Sequence, residues 1–200
     1  MINKLYTKES SRNKKYVQQK IFDQISGLQS DVLCLAGPTP ISYVSKIKKH
    51  VKGRITSYEK SGEVYHTQIA LQGENKVLEK VKFLFGEIEQ GEVTNFIDAD
   101  FCCTLSKAAP TIKKLFNAQK QLKNKQRKVF CFTNSVMHVG YDNILPFLQD
   151  LLKIDITLDY IAKTNTHEEY LLIYNLKKYR ISYYHYCDSS PLASICIQYY

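Results

Sequence analysis

The stretch Asp31-Val-Leu-Cys-Leu-Ala-Gly-Pro-Thr-Pro-Ile-Ser-Tyr-Val-Ser-Lys-Ile-Lys-Lys-His-Val-Lys-Gly-Arg-Ile-Thr-Ser-Tyr-Glu59 decides the fold. It opens with a short, nearly continuous apolar run, Asp31 to Ala36, that stops at Gly37-Pro38. Such a run reads as a strand buried on both faces. Ile41, Val44, Ile47 and Val51 then recur at helical spacing, and Gly53 is expected to close that helix as a C-cap. Arg54 to Tyr58 is strand-like and stops at the acid Glu59. Strand, tight turn, helix and second strand form one unit of a parallel sheet, because parallel neighbours need a long crossover.

Outward from this unit the alternation continues. Upstream, residues 1–10 are polar, and Val17, Ile21, Ile25 and Leu28 predict a helix over 12–28. Downstream, a helix is expected from about Glu63 to Leu71, with another turn or two over 76–81. Strands follow at Val81–Phe85, Val93–Ile97 and Val129–Thr133. Between the last two, Pro110 marks the start of a helix carrying Ile112, Leu115, Phe116 and Leu122. Ile144, Leu145, Leu148, Leu151 and Leu152 give one more helix. From 155 the pattern turns β-rich: Leu158–Ala162, Tyr170–Tyr174, Tyr179–Tyr186 and Ala193–Tyr199, with Asp188-Ser-Ser-Pro191 as a turn. The fold class implied is α/β, Rossmann-like and doubly wound, with a mostly parallel sheet and antiparallel C-terminal strands. Residues 1–29 form a tail and leading helix, and 30–200 a single domain.

Composition agrees with a packed domain. Over 200 residues, 44% are hydrophobic and 24% charged, which excludes a disordered chain, a collagen-like rod and a coiled coil. No window approaches the roughly 18 apolar residues of a membrane span, and the first ten residues lack the apolar core of a secretory signal. The expectation is a cytoplasmic protein, in the host cytoplasm if its source is viral, without a membrane partner. Six cysteines stand at 34, 102, 103, 131, 187 and 196 with no C-x-x-C pair, so reduced thiols and no metal site are expected. Abundant Lys, Asn, Tyr and Ile fit an AT-rich genome such as that of a virus or plasmid.

Open parallel sheets bind ligands beyond the carboxyl ends of their strands. The residues there are Ala36, Gly37 and Pro38 after the first strand, Glu59 after the second, Glu87 after the third, and Asp98 to Leu105 after the fourth. A glycine lets backbone approach a ligand closely. An acid some twenty residues further on, ending the second strand, is where nucleotide folds of this kind hydrogen-bond ribose hydroxyls. Asp98 and Asp100 share one face of an extended segment, where like charges favour a raised pKa or a bound donor. Phe101 beside them can stack on a flat base.

This pattern resembles class I S-adenosylmethionine-dependent methyltransferases over roughly residues 30–200. The resemblance implies that the loop Asp31 to Pro40 holds the methionine part of S-adenosylmethionine, with Leu-Ala-Gly-Pro in place of the family's run of glycines. It implies that Glu59 holds the ribose hydroxyls, Glu87 flanks the adenine, and Asp98 to Thr104 face the methyl group and the substrate. Asp98-Ala-Asp-Phe-Cys-Cys-Thr104 departs from the Asn/Asp-Pro-Pro-aromatic loop of amino-group methyltransferases. It looks more like the corresponding segment of phage and viral methyltransferase-like proteins. The cofactor-binding set is then Ala36, Gly37, Pro38, Glu59, Glu87 and Asp98, and the catalytic set Asp98, Asp100 and Phe101.

The net charge is +9, which favours an acidic partner, and nucleic acid, DNA or RNA, is the expected substrate class. Basic residues cluster at 113–128, at 46–54 and at Lys177, Lys178 and Arg180, the last followed by Tyr183, Tyr184 and Tyr186. The third cluster, being beside aromatics, is the expected substrate neighbour; 113–128 leads toward the amino end of the fifth strand. The competing readings are a non-catalytic nucleic-acid-binding protein on a degenerate fold, and a nuclease with Asp98 and Asp100 as metal ligands.

Overall fold

A computed structural model describes residues 19–23, 25–136, 139, 143–154, 171–175, 178–187 and 190–200. Its strands are β1 (Val32–Cys34), β2 (Ile55–Glu59), β3 (Val81–Phe85), β4 (Phe96–Thr104), β5 (Lys128–Ser135), β6 (Leu171–Asn175), β7 (Tyr179–Cys187) and β8 (Ser190–Tyr199). Its helices are α1 (Pro40–Ile47), α2 (Gly62–Glu74), α3 (Leu105–Lys120) and α4 (Ile144–Leu152), with a 3-10 turn at Ile88–Gln90.

All eight strands form one sheet in the order β3-β2-β1-β4-β5-β8-β7-β6. β1 to β5 are parallel neighbours, and β8, β7 and β6 add antiparallel. The expected α/β architecture is therefore present. The strand order reverses between β1 and β4, and a crevice opens at such a switch point because the crossovers leave to opposite faces.

Strand alternation sends side chains to two cores. Ile97, Ala99, Phe130, Phe132, Ile195 and Ile197 pack under α3 and α4. Val32, Cys34, Phe96, Val129 and Cys131 pack under α1 together with Phe22 and Ile25.

Several expectations need correction. The leading helix is helical only over 19–23 among its described residues; Gly27 turns the chain at φ +77°, and Leu28 bridges Val51 in parallel. α1 ends at Ile47, not at Val51. Gly53 is no helix cap: a Cβ there would lie 1.9 Å from the Ser30 carbonyl oxygen, so the position is glycine because two backbones touch.

α3 begins at Leu105, where the Thr104 hydroxyl accepts from the Lys107 N–H at 3.4 Å. Pro110 therefore sits inside the helix, and Leu122 lies beyond it. The larger correction concerns Asp98 to Thr104, which continue β4 instead of forming a loop. Asp98, Ala99 and Asp100 pair with Cys131, Phe132 and Thr133. The anticipated strand Leu158–Ala162 lies outside the described residues.

Candidate active site at the carboxyl ends of β1, β2 and β4

Side-chain size falls along the α1 face of the sheet toward the strand carboxyl ends. One row, read across neighbouring strands, is Ile55, Val32, Phe96 and Val129. Two residues further along, the row is Ser57, Cys34, Asp98, Cys131, Cys196 and Ser182. The next positions are Glu59, Ala36, Asp100, Thr133 and Ser194. A sheet face that passes from large apolar groups to small and polar ones leaves room at one end and lines it with hydrogen-bonding atoms.

The turn after β1 is fixed from two sides. The Ala36 N–H donates to the buried Ser57 hydroxyl at 3.0 Å. The Gly37 carbonyl accepts from Gln68 Nε2 of α2 at 2.8 Å, and Gln68 is fully buried. Gly37 has φ +65°, a left-handed conformation that side chains resist, yet the space a Cβ would take is open. Gln68 Oε1 is buried without a hydrogen-bond partner among the described residues. α1 starts directly after this turn with Pro40 in its first turn and no side-chain cap at Thr39.

Glu59 ends β2 one strand from that turn. The last β1–β2 pair is Cys34 with Ser57, so Ala36 and Glu59 both stand two residues beyond it. Parallel neighbours lie about 4.8 Å apart. Glu59 Oε1 accepts from the Ser61 N–H at 2.8 Å, which also orders the entry to α2. A carboxylate can accept about four hydrogen bonds, so this one leaves capacity. Glu87 lies one strand further out. It is exposed, caps the 3-10 turn, and approaches Lys60 at 3.9 Å.

Asp98 meets the donor that its neighbourhood requires: the Tyr43 hydroxyl of α1 donates to Asp98 Oδ2 at 2.8 Å. Burial, and then the Asp98 charge, push the Tyr43 hydroxyl well above its ordinary pKa, so it keeps its proton and donates. The same two causes push the Cys34 thiol up to about 12. Cys131 is also held far up, first by burial and then by its hydrogen bond with Cys196, which leaves both core thiols poor nucleophiles at neutral pH.

Asp100 is half-buried on the Asp98 face. Between Asp100 and Thr104 the β4–β5 register shifts, four residues advancing against two from Thr133 to Ser135. Such an irregularity re-aims side chains beside functional clefts. Phe101 is half-buried and packs against the core cluster on the opposite face from the two carboxylates. Asn134 closes the irregular segment by donating to the Cys103 carbonyl at 3.1 Å.

The structure thus gathers Ala36, Gly37, Pro38, Glu59, Asp98 and Asp100 around the switch point, with Glu87 at the rim and Phe101 behind the strand. Sequence reasoning passed over Ser57, Gln68 and Tyr43. Tyr43 had a signal, since Pro40, Tyr43, Val44 and Ile47 share the buried face of α1. Gln68 had none, because α2 has no other buried residue to give it a period. An open groove lined by Pro146, Gln149, Asp150, Lys153 and Ile154 lies toward the C-terminal end of α4, away from these strand ends. Among the described residues no group of three His, Cys, Asp or Glu is placed to hold a metal ion, and no helix is long and apolar enough to cross a membrane.

No family model matches the sequence, and no curated protein matches it. Solved structures do match in fold. A TYW2 from M. jannaschii in complex with AdoMet aligns over 98% of this chain and 77% of its own at 13% identity and a TM-score of 0.55. The human methyltransferase 10 domain containing protein aligns over 100% and 83% at 9% identity and 0.58. An rRNA methylase from Streptococcus thermophilus aligns over 92% and 96% at 7% identity and 0.54. The chain has the Rossmann-like fold shared by these methyltransferases.

Proposed function

We propose that this chain is an S-adenosylmethionine-dependent methyltransferase acting on nucleic acid, with RNA as the acceptor. The observation that carries the reading is the left-handed Gly37 turn, pinned by Ser57 and Gln68, standing one strand from Glu59 at the switch point. Open space at the missing Gly37 Cβ fits a ligand lying along the turn. The shared fold and the neighbours named for AdoMet and for rRNA support the cofactor and the acceptor class. The net charge of +9 agrees with a polyanionic substrate. The Asp98–Thr104 segment supports a phage or viral source. Free, buried thiols support a reducing, cytoplasmic location.

The cofactor, when bound, supplies a methyl group on a sulfonium that needs no covalent activation. The protein's work is therefore binding, orientation and exclusion of water. The backbone at Ala36, Gly37 and Pro38 borders the methionine part. Glu59 accepts from the ribose hydroxyls, and Glu87 flanks the adenine at the rim. Asp98, its carboxylate fixed by Tyr43, and Asp100 orient the acceptor amino group and take up its proton. Phe101 packs behind β4, so stacking on a flat base would require its side chain to leave that core.

Titration calorimetry with S-adenosylmethionine and with its demethylated product tests the reading. Micromolar binding that Glu59→Ala weakens at least tenfold is the expected result. No heat with either ligand removes the reading and favours a nucleic-acid-binding protein that lacks the chemistry.

A further inference from the structure

Residues 101–128 contain eight Lys or Arg and no Asp or Glu, so this stretch holds a charge of +8 against +9 for the whole chain. The fold arranges that charge. On α3 the buried side is Leu105, Ala108, Ile112, Leu115, Phe116 and Gln119. The other side presents Lys107, Lys113, Lys114, Asn117 and Lys120, all exposed, and the loop that follows adds exposed Lys123 and Lys125. Among the described residues none of these six lysines takes part in an ion pair. Among the described carboxylates near the helix, Asp150 of α4 binds Lys153 at 2.8 Å and feels the Lys113 charge only as a minor influence, and Glu89 accepts from Thr111 at 2.6 Å.

Direction matters as much as charge. α3 starts immediately after the irregular end of β4, so Lys107 stands in the first turn of the helix, three residues beyond the strand that carries Asp98 and Asp100. The helix then runs back along the sheet, and Lys107 to Lys120 span roughly 20 Å at 1.5 Å per residue. The sequence places the basic stretch away from the cleft; the structure connects the two through the exposed side of one helix. Fixed cations spaced along a rigid helix match a phosphate backbone, which offers repeated single negative charges.

We infer that the exposed face of α3 and the loop after it form a track for the phosphate backbone of a folded RNA, leading its target nucleotide toward the ends of β1 and β4. That the nucleotide is methylated there rests on the function proposed above; binding along the track does not. Each neutralised phosphate releases counterions, so log K falls with log salt by about 0.7 to 0.9 per contact. Six lysines set an upper limit of about five on that slope.

The test uses fluorescence anisotropy with a labelled hairpin RNA between about 50 and 200 mM salt, for three full-length proteins. They are the unaltered chain, a track variant (Lys113→Gln, Lys120→Gln, Lys123→Gln, Lys125→Gln), and a control of equal charge loss elsewhere (Lys49→Gln, Lys52→Gln, Lys76→Gln, Lys80→Gln). Circular dichroism establishes that each is folded. The track variant should bind at least tenfold more weakly, with the salt slope reduced by roughly 3, about 0.7 to 0.9 for each of the four removed phosphate contacts. The control should keep most of both. Equal effects of the two variants would mean that net charge alone drives binding, and the track falls. A matching DNA duplex bound as tightly, with the same slope, overturns the RNA assignment. S-adenosylmethionine titrations of the track variant should match the unaltered chain. Failure of cofactor binding in every protein with RNA binding intact removes the methyltransferase reading and leaves the track standing.

Discussion

Gly37 allows the backbone role of the turn to be separated from its ligand-binding role. Its φ of +65° lies close to the left-handed helical value of about +57°. Among the described residues, no atom beyond the chain neighbours lies within 4 Å of the position a Cβ would occupy, so substitution costs conformational strain and nothing for collision. For alanine that strain is about 1–2 kcal/mol. Asparagine visits the left-handed region more readily and should cost well under half as much. Both side chains, however, project into the space the proposed cofactor borders. Urea unfolding should therefore rank the proteins unaltered, Gly37→Asn, Gly37→Ala. Calorimetry with S-adenosylmethionine should instead show both variants at least tenfold weaker, a loss of about 1.4 kcal/mol. The two orders differ, and that difference is the content of the prediction. If Gly37→Asn and Gly37→Ala bind the cofactor with unaltered affinity, the turn does not line the site. If stability and affinity fall in the same order and size, the turn matters only through folding.

Gly53→Ala should be more damaging to the fold than either Gly37 variant, because its Cβ collides with the Ser30 backbone; about 3 kcal/mol in urea unfolding is expected. Tyr43→Phe removes a buried donor to a carboxylate and should cost about 1.5–3 kcal/mol by the same assay. Replacing both partners, Tyr43→Phe with Asp98→Leu, should recover part of that loss, since the donor and the carboxylate it serves are removed together. Asp31 is held below its ordinary pKa first by hydrogen bonds from the Arg54 side chain, with burial opposing. The stabilisation is thus present above the unfolded carboxyl value of about 3.9 and fades as pH falls through the lower folded value. Asp31→Asn should be slightly less stable than the unaltered chain at pH 7, and the gap should close on acidification; a gap independent of pH contradicts the assignment.

Much of the sheet could be read from local pattern because parallel strands are short apolar runs separated by helical periods. β1, β2, β3 and β5 all lie within two residues of their expected bounds at each end. β4 is expected only to Ile97; its continuation escaped because Asp98, Ala99 and Asp100 alternate polar residues that in sequence look like a loop. Only the neighbouring strand supplies the reason they extend: the ladder with Cys131, Phe132 and Thr133. The helix expected over 12–28 holds at 19–23 but stops before Gly27, and its residues 12–18 and 24 lie outside the described ones. Its apolar spacing was sound, since Ile21, Ile25 and Leu28 are all buried, but a turn at Gly27 and the Leu28–Val51 bridge bury them equally well. Of the site, Gly37, Glu59 and Asp98 announced themselves by position after a strand. Their supports did not, because Ser57, Gln68 and Tyr43 become neighbours only when β2, α2 and α1 fold onto the same turn.

The polar row across the sheet argues that this end of the molecule is kept for something other than stability. Ser57, Cys34, Asp98, Cys131, Cys196 and Ser182 occupy the α1 face of six adjacent strands, where valine or isoleucine would bury more apolar area and bring no desolvation cost. The preceding row shows that the fold accepts such residues, since Ile55, Val32, Phe96 and Val129 fill the same face two positions earlier. A carboxylate in the middle of the second row requires Tyr43 to reach down from α1, and Gln68, buried with one oxygen unpartnered among the described residues, holds a glycine turn beside it. Local rules broken together, at the one edge where strand order reverses, mark a functional site more clearly than any single residue there. The proposed track follows the same logic: six lysines that form no ion pair among the described residues repel one another on one helix and its loop, and a bound phosphate backbone would relieve that repulsion.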